Sequence, residues 1–358
     1  MKLLFDARYT RTDYHDGISR YSAELGTALA KITPVTFLIC DEKQKKWFPK
    51  NADFIKIHAG TSPKEPFTAL ILNKYRPDVV YSPMQTIGTI GRTYLSVLTL
   101  HDMIYYRHPR APKFLPLPVR IGWWLYHQAY FPQRWLLRGG DLITTVSQTS
   151  AQDIHDAHMT NHALHVVYNA PQRFKKYPVT FKKKVTNIVY MGSFMSYKNA
   201  ETLIRGMQWL PGRTLHLLSR ISPQRQEQLE ALIPNHAKVR FHNGVTDDTY
   251  EKLLADNAIL ATASLDEGYG IPVAEALAMG VPVVASDIPI FHEVGGAGAL
   301  YFDPHSPEAF AAQVQRLDDA ILRTTQIKKG LAHIQQFNWE SSAQTLLAAI
   351  KEARKNRR

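Results

Sequence analysis

Residues 258–284 read Ala258-Ile-Leu-Ala-Thr-Ala-Ser264-Leu-Asp-Glu267-Gly268-Tyr269-Gly270-Ile271-Pro272-Val-Ala-Glu275-Ala-Leu-Ala-Met-Gly280-Val-Pro-Val-Val284. Ala258–Ala261 and Pro282–Ala285 have strand character, and Pro272 opens a helix between them. Strand, turn, helix and strand in this order form the unit of a parallel α/β sheet. Two glutamates with seven residues between them bracket the turn. Glu267 falls in the loop and Glu275 in the first turn of the predicted helix. Gly268 and Gly270 can present backbone N–H groups without side-chain obstruction. The helix N-terminus adds partial positive charge suited to phosphate. A carboxylate nearby can accept hydrogen bonds from two vicinal hydroxyls. The stretch therefore predicts a site for a sugar linked through a diphosphate. The plainer alternative is a strand–turn–helix in which Glu275 only complements the helix dipole.

The same alternation runs outward to both ends of the chain. Strands are predicted at Lys2–Ala7, Val35–Cys40, Asp78–Ser82, Ser96–Leu100, Leu142–Val146 and Val166–Tyr168. After a break they resume at Asn187–Met191, Thr214–Leu218, Val239–His242 and Leu300–Phe302, beside the two already named. Helices are predicted at Ser19–Lys31, Ser147–Ala157, Ala200–Trp209, Pro223–Leu232, Asp247–Ala255, Pro272–Met279 and Pro307–Leu322, the last with Ser306 and Pro307 as its start signal. The break is Pro171–Lys184, with two prolines and six Lys or Arg. The predicted division is a Rossmann-like domain over 1–172, a linker over 173–184, a second such domain over 185–340, and a helix with a basic tail over 341–358. Two parallel sheets facing an interdomain cleft are expected, with ligands beyond the carboxyl ends of the strands.

The chain has 358 residues, enough for two domains that each bury a core. Its composition excludes disordered, collagen-like and coiled-coil classes. A single cysteine, Cys40, can form neither an internal disulfide nor a Cys-based zinc site, which fits a reducing compartment. No apolar run reaches the length of a membrane span and the N-terminus lacks a signal-peptide pattern, so a cytoplasmic protein is expected. Residues 1–180 hold 23 Lys and Arg against 13 Asp and Glu; residues 181–358 hold 20 against 18. A basic first half can attract nucleic acid, an anionic membrane or a phosphorylated ligand, or be no more than a solvated basic surface.

With these residues in view, Glu267–Glu275 resembles the Glu-x7-Glu motif of the retaining family 4 glycosyltransferases, which have the GT-B fold. Other segments resemble family motifs in the same order. Asp16-Gly-Ile-Ser-Arg-Tyr21 is similar to the N-terminal glycine loop, and Thr99-Leu-His101-Asp102 to the His-Asp motif. Thr145-Val-Ser147 and Val167-Tyr-Asn169-Ala-Pro171 are similar to two strand exits. Tyr190-Met-Gly192-Ser-Phe-Met-Ser-Tyr-Lys198-Asn199 is similar to the glycine–basic loop that opens the second domain.

The resemblance implies an enzyme whose substrate is a nucleotide-diphosphate sugar, with GDP-mannose first among donors and UDP-sugars as the alternative. It implies that Glu275 holds the ribose, that Glu267 contacts the hexose, and that Lys198 neutralises the diphosphate. Gly17, Gly192, Ser193, Gly268, Tyr269, Gly270 and Ile271 line the donor. By the same resemblance His101 contacts the transferred sugar or receives charge near the anomeric centre, with Asp102 either orienting it or shaping its loop, and Arg20 and Tyr21 serve as helix surface and packing. Many relatives carry arginine where this chain has Ser193; Arg220, at a neighbouring strand end, is the proposed substitute, and a surface role is its alternative. No Asp-x-Asp occurs, so no metal and no other cofactor is expected. The pairs His155–His158 and His162–His165 have helical spacing but no acidic partner at ligand spacing.

Residues 113–138 (KFLPLPVRIGWWLYHQAYFPQRWLLR) combine Trp123, Trp124 and Trp135 with flanking cations. This suits a bilayer interface or a lipid-linked acceptor; core packing of a long helix is the alternative. The tail from Lys351 to Arg358 carries five cations. It reads as a solvated helix end able to touch phospholipid. The expected partners are therefore the donor, a glycan or lipid-linked acceptor and an anionic membrane surface, with peripheral attachment to the inner face of the membrane. A nicotinamide enzyme is disfavoured because no Gly-x-Gly-x-x-Gly follows the first strand; Gly295–Gly298 stands in the wrong context. A non-catalytic nucleic-acid binder rests on charge alone and lacks a recognition module.

Overall fold

The computed structural model describes residues 1–13, 16–111, 116–172 and 174–357. Lys113 of the aromatic stretch, Arg173 of the predicted linker and Arg358 of the tail lie outside them. The chain forms two compact units, Met1–Asn169 with Phe337–Arg358, and Ala170–Gln336.

The first unit is built on seven parallel strands: β1 (Leu3–Asp6), β2 (Val35–Ile39), β3 (Asp53–Lys56), β4 (Val79–Ser82), β5 (Leu95–Thr99), β6 (Leu142–Thr145) and β7 (Leu164–Val166), in the order β3-β2-β1-β4-β5-β6-β7. The second has six: β8 (Asn187–Tyr190), β9 (Thr214–Leu217), β10 (Lys238–Phe241), β11 (Ala258–Thr262), β12 (Val283–Ser286) and β13 (Ala299–Phe302), in the order β10-β9-β8-β11-β12-β13. All ladders are parallel; β8 and β11 pair in the register Asn187 with Ala258 and Leu260 with Val189. Central strands such as β1, β4, β11 and β12 are buried at every residue, as apolar runs covered on both faces require. The edge strands β3 and β10 mix charged with apolar residues and remain partly exposed. Pattern reading passes over β3 for that reason: Asp-Phe-Ile-Lys is short and carries the charges that protect an edge.

Two boundaries differ from expectation. Residues 174–184 are not a free linker, because they are strapped to the second unit. Thr180 donates its N–H to Ala255 O (2.9 Å) and accepts from the N–H of Asn257 (2.9 Å), and the Lys176 ammonium pairs with Asp248. The C-terminal helix starts at Trp339, behind its cap Asn338, and belongs to the first unit. Trp339 packs on Tyr21 with centroids 5.9 Å apart, and the Ser342 hydroxyl donates to Tyr168 O (2.8 Å). Its basic end is not simply solvated: Arg354 pairs with Asp78 (2.9 Å) and Arg357 with Asp141 (3.6 Å). The single helix expected at 307–322 is two, Pro307–Arg316 and Ala320–His333. Asp319 caps the second, and Asp318 turns aside to accept from Arg213 (2.6 Å) and from the N–H of Val185 (3.2 Å).

Candidate functional site

In the second sheet the strand order reverses between β8 and β11, and ligands of such sheets bind at the carboxyl ends flanking this point. The loop after β8 carries Gly192, Ser193 and Lys198; the loop after β11 carries Glu267 to Gly270. They are joined directly: the N–H of Leu265 donates to Tyr197 O (2.7 Å), and the Lys198 ammonium pairs with the Glu267 carboxylate. Both partners are largely withdrawn from solvent, with side-chain exposures of 14% and 15%.

Their surroundings hold them in place. The Ser264 hydroxyl donates to the same Glu267 oxygen (3.3 Å), and Ser264 O accepts from the Ser286 hydroxyl (2.5 Å). Lys198 ends a tight turn, Ser196–Lys198, followed by Asn199 in the left-handed region at φ +49°. The Asn199 amide and the Thr202 hydroxyl both donate to Pro304 O (2.7 and 2.9 Å). Two separated stretches of chain thus present one ammonium and one carboxylate side by side.

The helix after the second loop runs Ile271–Met279, with no side-chain cap and Pro272 in its first turn. Its first-turn N–H groups have no competing side-chain acceptor at the cap position, which suits an anion. Glu275 is the fifth helical residue and is buried, so it lies one turn in; no acid occupies the first turn, contrary to the sequence reading. Tyr269 is buried beside the turn. Gly270 adopts φ +90°, and a Cβ there would stand 2.7 Å from the Phe291 ring. Gly270→Ala is expected to lower the unfolding free energy by about 2 kcal/mol through left-handed strain and this clash. Chemical denaturation measures it, and an unchanged midpoint would refute the assignment.

Gly192 donates its N–H to Ser219 Oγ (3.2 Å), and a Cβ on it would meet the Tyr190 hydroxyl at 2.9 Å. The Tyr190 hydroxyl donates to Ser193 O (2.7 Å), leaving the Ser193 side chain exposed. Arg220 follows Ser219, so its backbone adjoins the Gly192 loop. Its exposed side chain lies over Gly244. Arg225 was not anticipated. It donates to Phe194 O (3.1 Å) and pairs with Glu201, bracing the loop from the helix Pro223–Glu230. Nothing in its polar helical surroundings marks it in the sequence. Ser264 was in view within the motif but carried no signal of its hydrogen bond to Glu267.

His101 and Gly17 belong to the first unit. Gly17 begins the helix Gly17–Ala30, capped by Asp16, whose carboxylate accepts from the N–H of Ser19 (2.9 Å) and pairs with Arg11. His101 stands just beyond β5, with Nε2 2.8 Å from Pro83 O, so Nε2 carries the proton and Nδ1 is an acceptor. Burial lowers its pKa and keeps the ring neutral. The ring meets Tyr21 edge-on at 5.1 Å. Asp102 accepts from the N–H of Ile104 (3.0 Å), so it shapes the loop. Tyr21 is buried, in keeping with a packing role.

A cavity of about 490 Å³ opens at the same end of the first sheet, lined by Arg8, Tyr9, Arg11, Asp13, Asp16 and Gln44 among others. Beneath it Arg8 makes paired hydrogen bonds to Asp6 (2.8 and 2.9 Å) and to Glu65 (2.7 and 2.8 Å). Burial alone would lower the pKa of this guanidinium, but the two carboxylates more than reverse that and raise it. Among the described residues no group of three or more His, Cys, Asp or Glu is placed to hold a metal ion.

Residues 185–319 match the family described as glycosyl transferases group 1. The chain is 27% identical to the O-antigen chain mannosyltransferase RfbU of Salmonella typhimurium over 329 residues, 86% of this chain and 89% of that protein. Sucrose-phosphate synthase from Thermosynechococcus elongatus superposes with a TM-score of 0.75 at 17% identity, over 98% of both chains. Anabaena HepE, solved in complex with UDP and glucose, gives 0.71 at 18% identity, over 98% of this chain and 100% of its own.

Proposed function

Because the chain belongs to the group 1 glycosyltransferases and has the GT-B fold, we propose that it transfers mannose from GDP-mannose to a glycan or lipid-linked acceptor, with retention of configuration and without a metal ion. The observation that carries this reading is the Lys198–Glu267 pair at the switch point of the second sheet, with Glu275 on the uncapped helix beside it.

Lys198 has three N–H donors, so its pairing with Glu267 leaves capacity for phosphate oxygens. As the glycosidic bond breaks, negative charge grows on the diphosphate. A fixed ammonium and the helix N-terminus stabilise it there without reorganising. Arg220 adds a second cation in place of the arginine that Ser193 lacks, and Gly192, Gly268, Tyr269, Gly270 and Ile271 line the donor. Glu275 accepts from the ribose hydroxyls and Glu267 from the hexose. In a front-face transfer the leaving phosphate takes the acceptor proton. His101, neutral with a free acceptor at Nδ1, contacts the transferred sugar. The first unit takes the acceptor through the cavity beside Gly17, where carboxylates and guanidinium groups suit sugar hydroxyls. The choice of mannose draws on the relative named a mannosyltransferase; the HepE complex favours a UDP-sugar as the second reading.

Calorimetric titration with GDP, UDP, GDP-mannose and UDP-glucose tests the donor site. The guanine ligands are expected to bind, and Glu275→Ala to weaken them about 10–100-fold through loss of charge-assisted hydrogen bonds. Preference for the uridine ligands would replace the donor, and binding of none by folded protein would overturn the reading. EDTA is expected to leave turnover unchanged; loss restored by magnesium would end the metal-free mechanism.

A further inference from the structure

The surplus of cations in the first half of the chain does not extend to the cavity of about 490 Å³ in the first unit. Arg8 and Arg11 border it together with Asp13, Asp16 and Asp41. The Arg8 side chain is fully buried between Asp6 and Glu65, so two carboxylates already outweigh its charge. Arg11 pairs with Asp16. Asp13 and Asp41 are exposed and have no ion-pair partner among the described residues. Two guanidinium groups therefore stand against five carboxylates, three on the border and two beneath it. A cavity of this sign repels phosphate and carboxylate groups.

The wall of the cavity is fixed in advance. Gln44 is 2% exposed and joins the loops after β1 and β2. Its Nε2 donates to Arg8 O (3.1 Å) and Thr10 O (2.6 Å), and its Oε1 accepts from the N–H groups of Cys40 (2.9 Å) and Asp41 (3.1 Å). The Trp47 indole N–H donates to Arg11 O (2.8 Å). Thr10 borders the cavity and is also 2% exposed, yet its hydroxyl has no hydrogen-bond partner among the described residues. Buried hydroxyls are ordinarily paired, so one left unpaired at a cavity is placed for a polar group of a ligand. A ligand hydroxyl satisfies it as donor or as acceptor, whereas the ionised carboxylates only accept.

We propose that this cavity selects the acceptor by charge. It takes an uncharged sugar end, whose hydroxyls are held by the Thr10 hydroxyl and the carboxylates of Asp13 and Asp41, and it turns away phosphorylated and carboxylated sugars. The proposal rests on the reading above that the acceptor enters at the first unit. A carboxylate accepts from two neighbouring hydroxyls of a sugar ring and offers no donor to a phosphate. The same groups thus attract one class of ligand and repel the other. Because Gln44 fixes both loops, the wall cannot easily rearrange to relieve the repulsion.

The test is saturation-transfer NMR on the full chain without donor. The probes are the methyl α-glycosides of mannose, galactose and glucose, against mannose phosphorylated at its primary hydroxyl and glucuronate. At least one neutral glycoside is expected to bind, and the charged sugars at least about tenfold more weakly. This comparison needs no variant. Thr10→Val keeps the shape and removes the hydroxyl; it is expected to weaken the neutral ligand about 5–10-fold, which places that ligand in the cavity. The combined variant Asp13→Asn, Asp41→Asn is expected to narrow the gap between neutral and charged sugars, and asparagine still caps the turn after residue 41. Charged sugars that bind as tightly as the neutral ones, no neutral glycoside bound, or a neutral ligand indifferent to Thr10→Val would each overturn the proposal. No nucleotide enters these measurements, so the two readings fail separately. Donor binding in calorimetry with failure of the sugar panel removes only the cavity's selectivity, and sugar binding without any nucleotide binding removes only the donor site.

Discussion

Lys198→Ala is expected to lower kcat by about 100–1000-fold, corresponding to about 2.7–4 kcal/mol of lost transition-state stabilisation. With Lys198 in the role proposed above, the loss should fall on kcat more than on KM, because an ammonium neutralising the diphosphate acts most strongly once that group has gained charge. The site amplifies this effect. Lys198 and Glu267 are both largely shielded from water, and the turn that presents the ammonium is fixed by Asn199 and Thr202 on Pro304 O. A charge held in a fixed place does not have to be recruited from solvent during reaction. Removing the ammonium also leaves Glu267 with the Ser264 hydroxyl and an uncompensated charge, next to where the proposed donor binds. Steady-state kinetics with the donor identified by calorimetry measures the change. A fall of less than about fivefold would remove Lys198 from the transition state, since even one lost charged hydrogen bond is worth more.

The second large effect is on stability. Arg8→Met is expected to lower the unfolding free energy of the first unit by about 3–5 kcal/mol, because it strands buried carboxylates without their cation. Asp6 and the Arg8 side chain are fully buried, and Glu65 is nearly so. Among the described residues Asp6 retains the Ser82 hydroxyl (3.2 Å) and the N–H of Arg8 (3.3 Å), and Glu65 retains His58 (3.4 Å). Neutralising the carboxylates as well, with Asp6→Asn and Glu65→Gln, should recover a large part of the loss, since the cost comes from unpaired charge more than from the missing pair. Urea unfolding of the single and combined variants measures both. A single-variant loss below about 1 kcal/mol would show that water or a rearranged loop reaches the carboxylates.

Much of the second unit was legible in the sequence because its signals are local. All six of its strands were anticipated, as central parallel strands are unbroken apolar runs bounded by turns. The loop carrying Glu267 and Gly270 was equally readable, since glycine and proline mark turns and helix starts through their own backbone limits. Arg225 and the Ser264–Glu267 hydrogen bond were not readable. A brace is an arginine like any other until the chain brings Phe194 and Glu201 to it. The aromatic stretch was noticed, but its direction was open. The same residues could have packed a core, and only their exposure shows that the apolar side faces outward.

The sequence by itself determined that this chain folds as two parallel α/β sheets and that a carboxylate pair brackets a glycine turn at a helix start. Those features follow from burial periodicity and local backbone preference, which act over a few residues. The tertiary structure alone decided three other features. It returned the chain after Gln336 to the first unit, where Trp339 meets Tyr21. It set Arg8 between Asp6 and the distant Glu65. It placed β8 beside β11, which brings the Lys198 ammonium to the Glu267 carboxylate. Each depends on strand order and long-range packing, and no pattern within a short window of sequence encodes which distant segment becomes a neighbour.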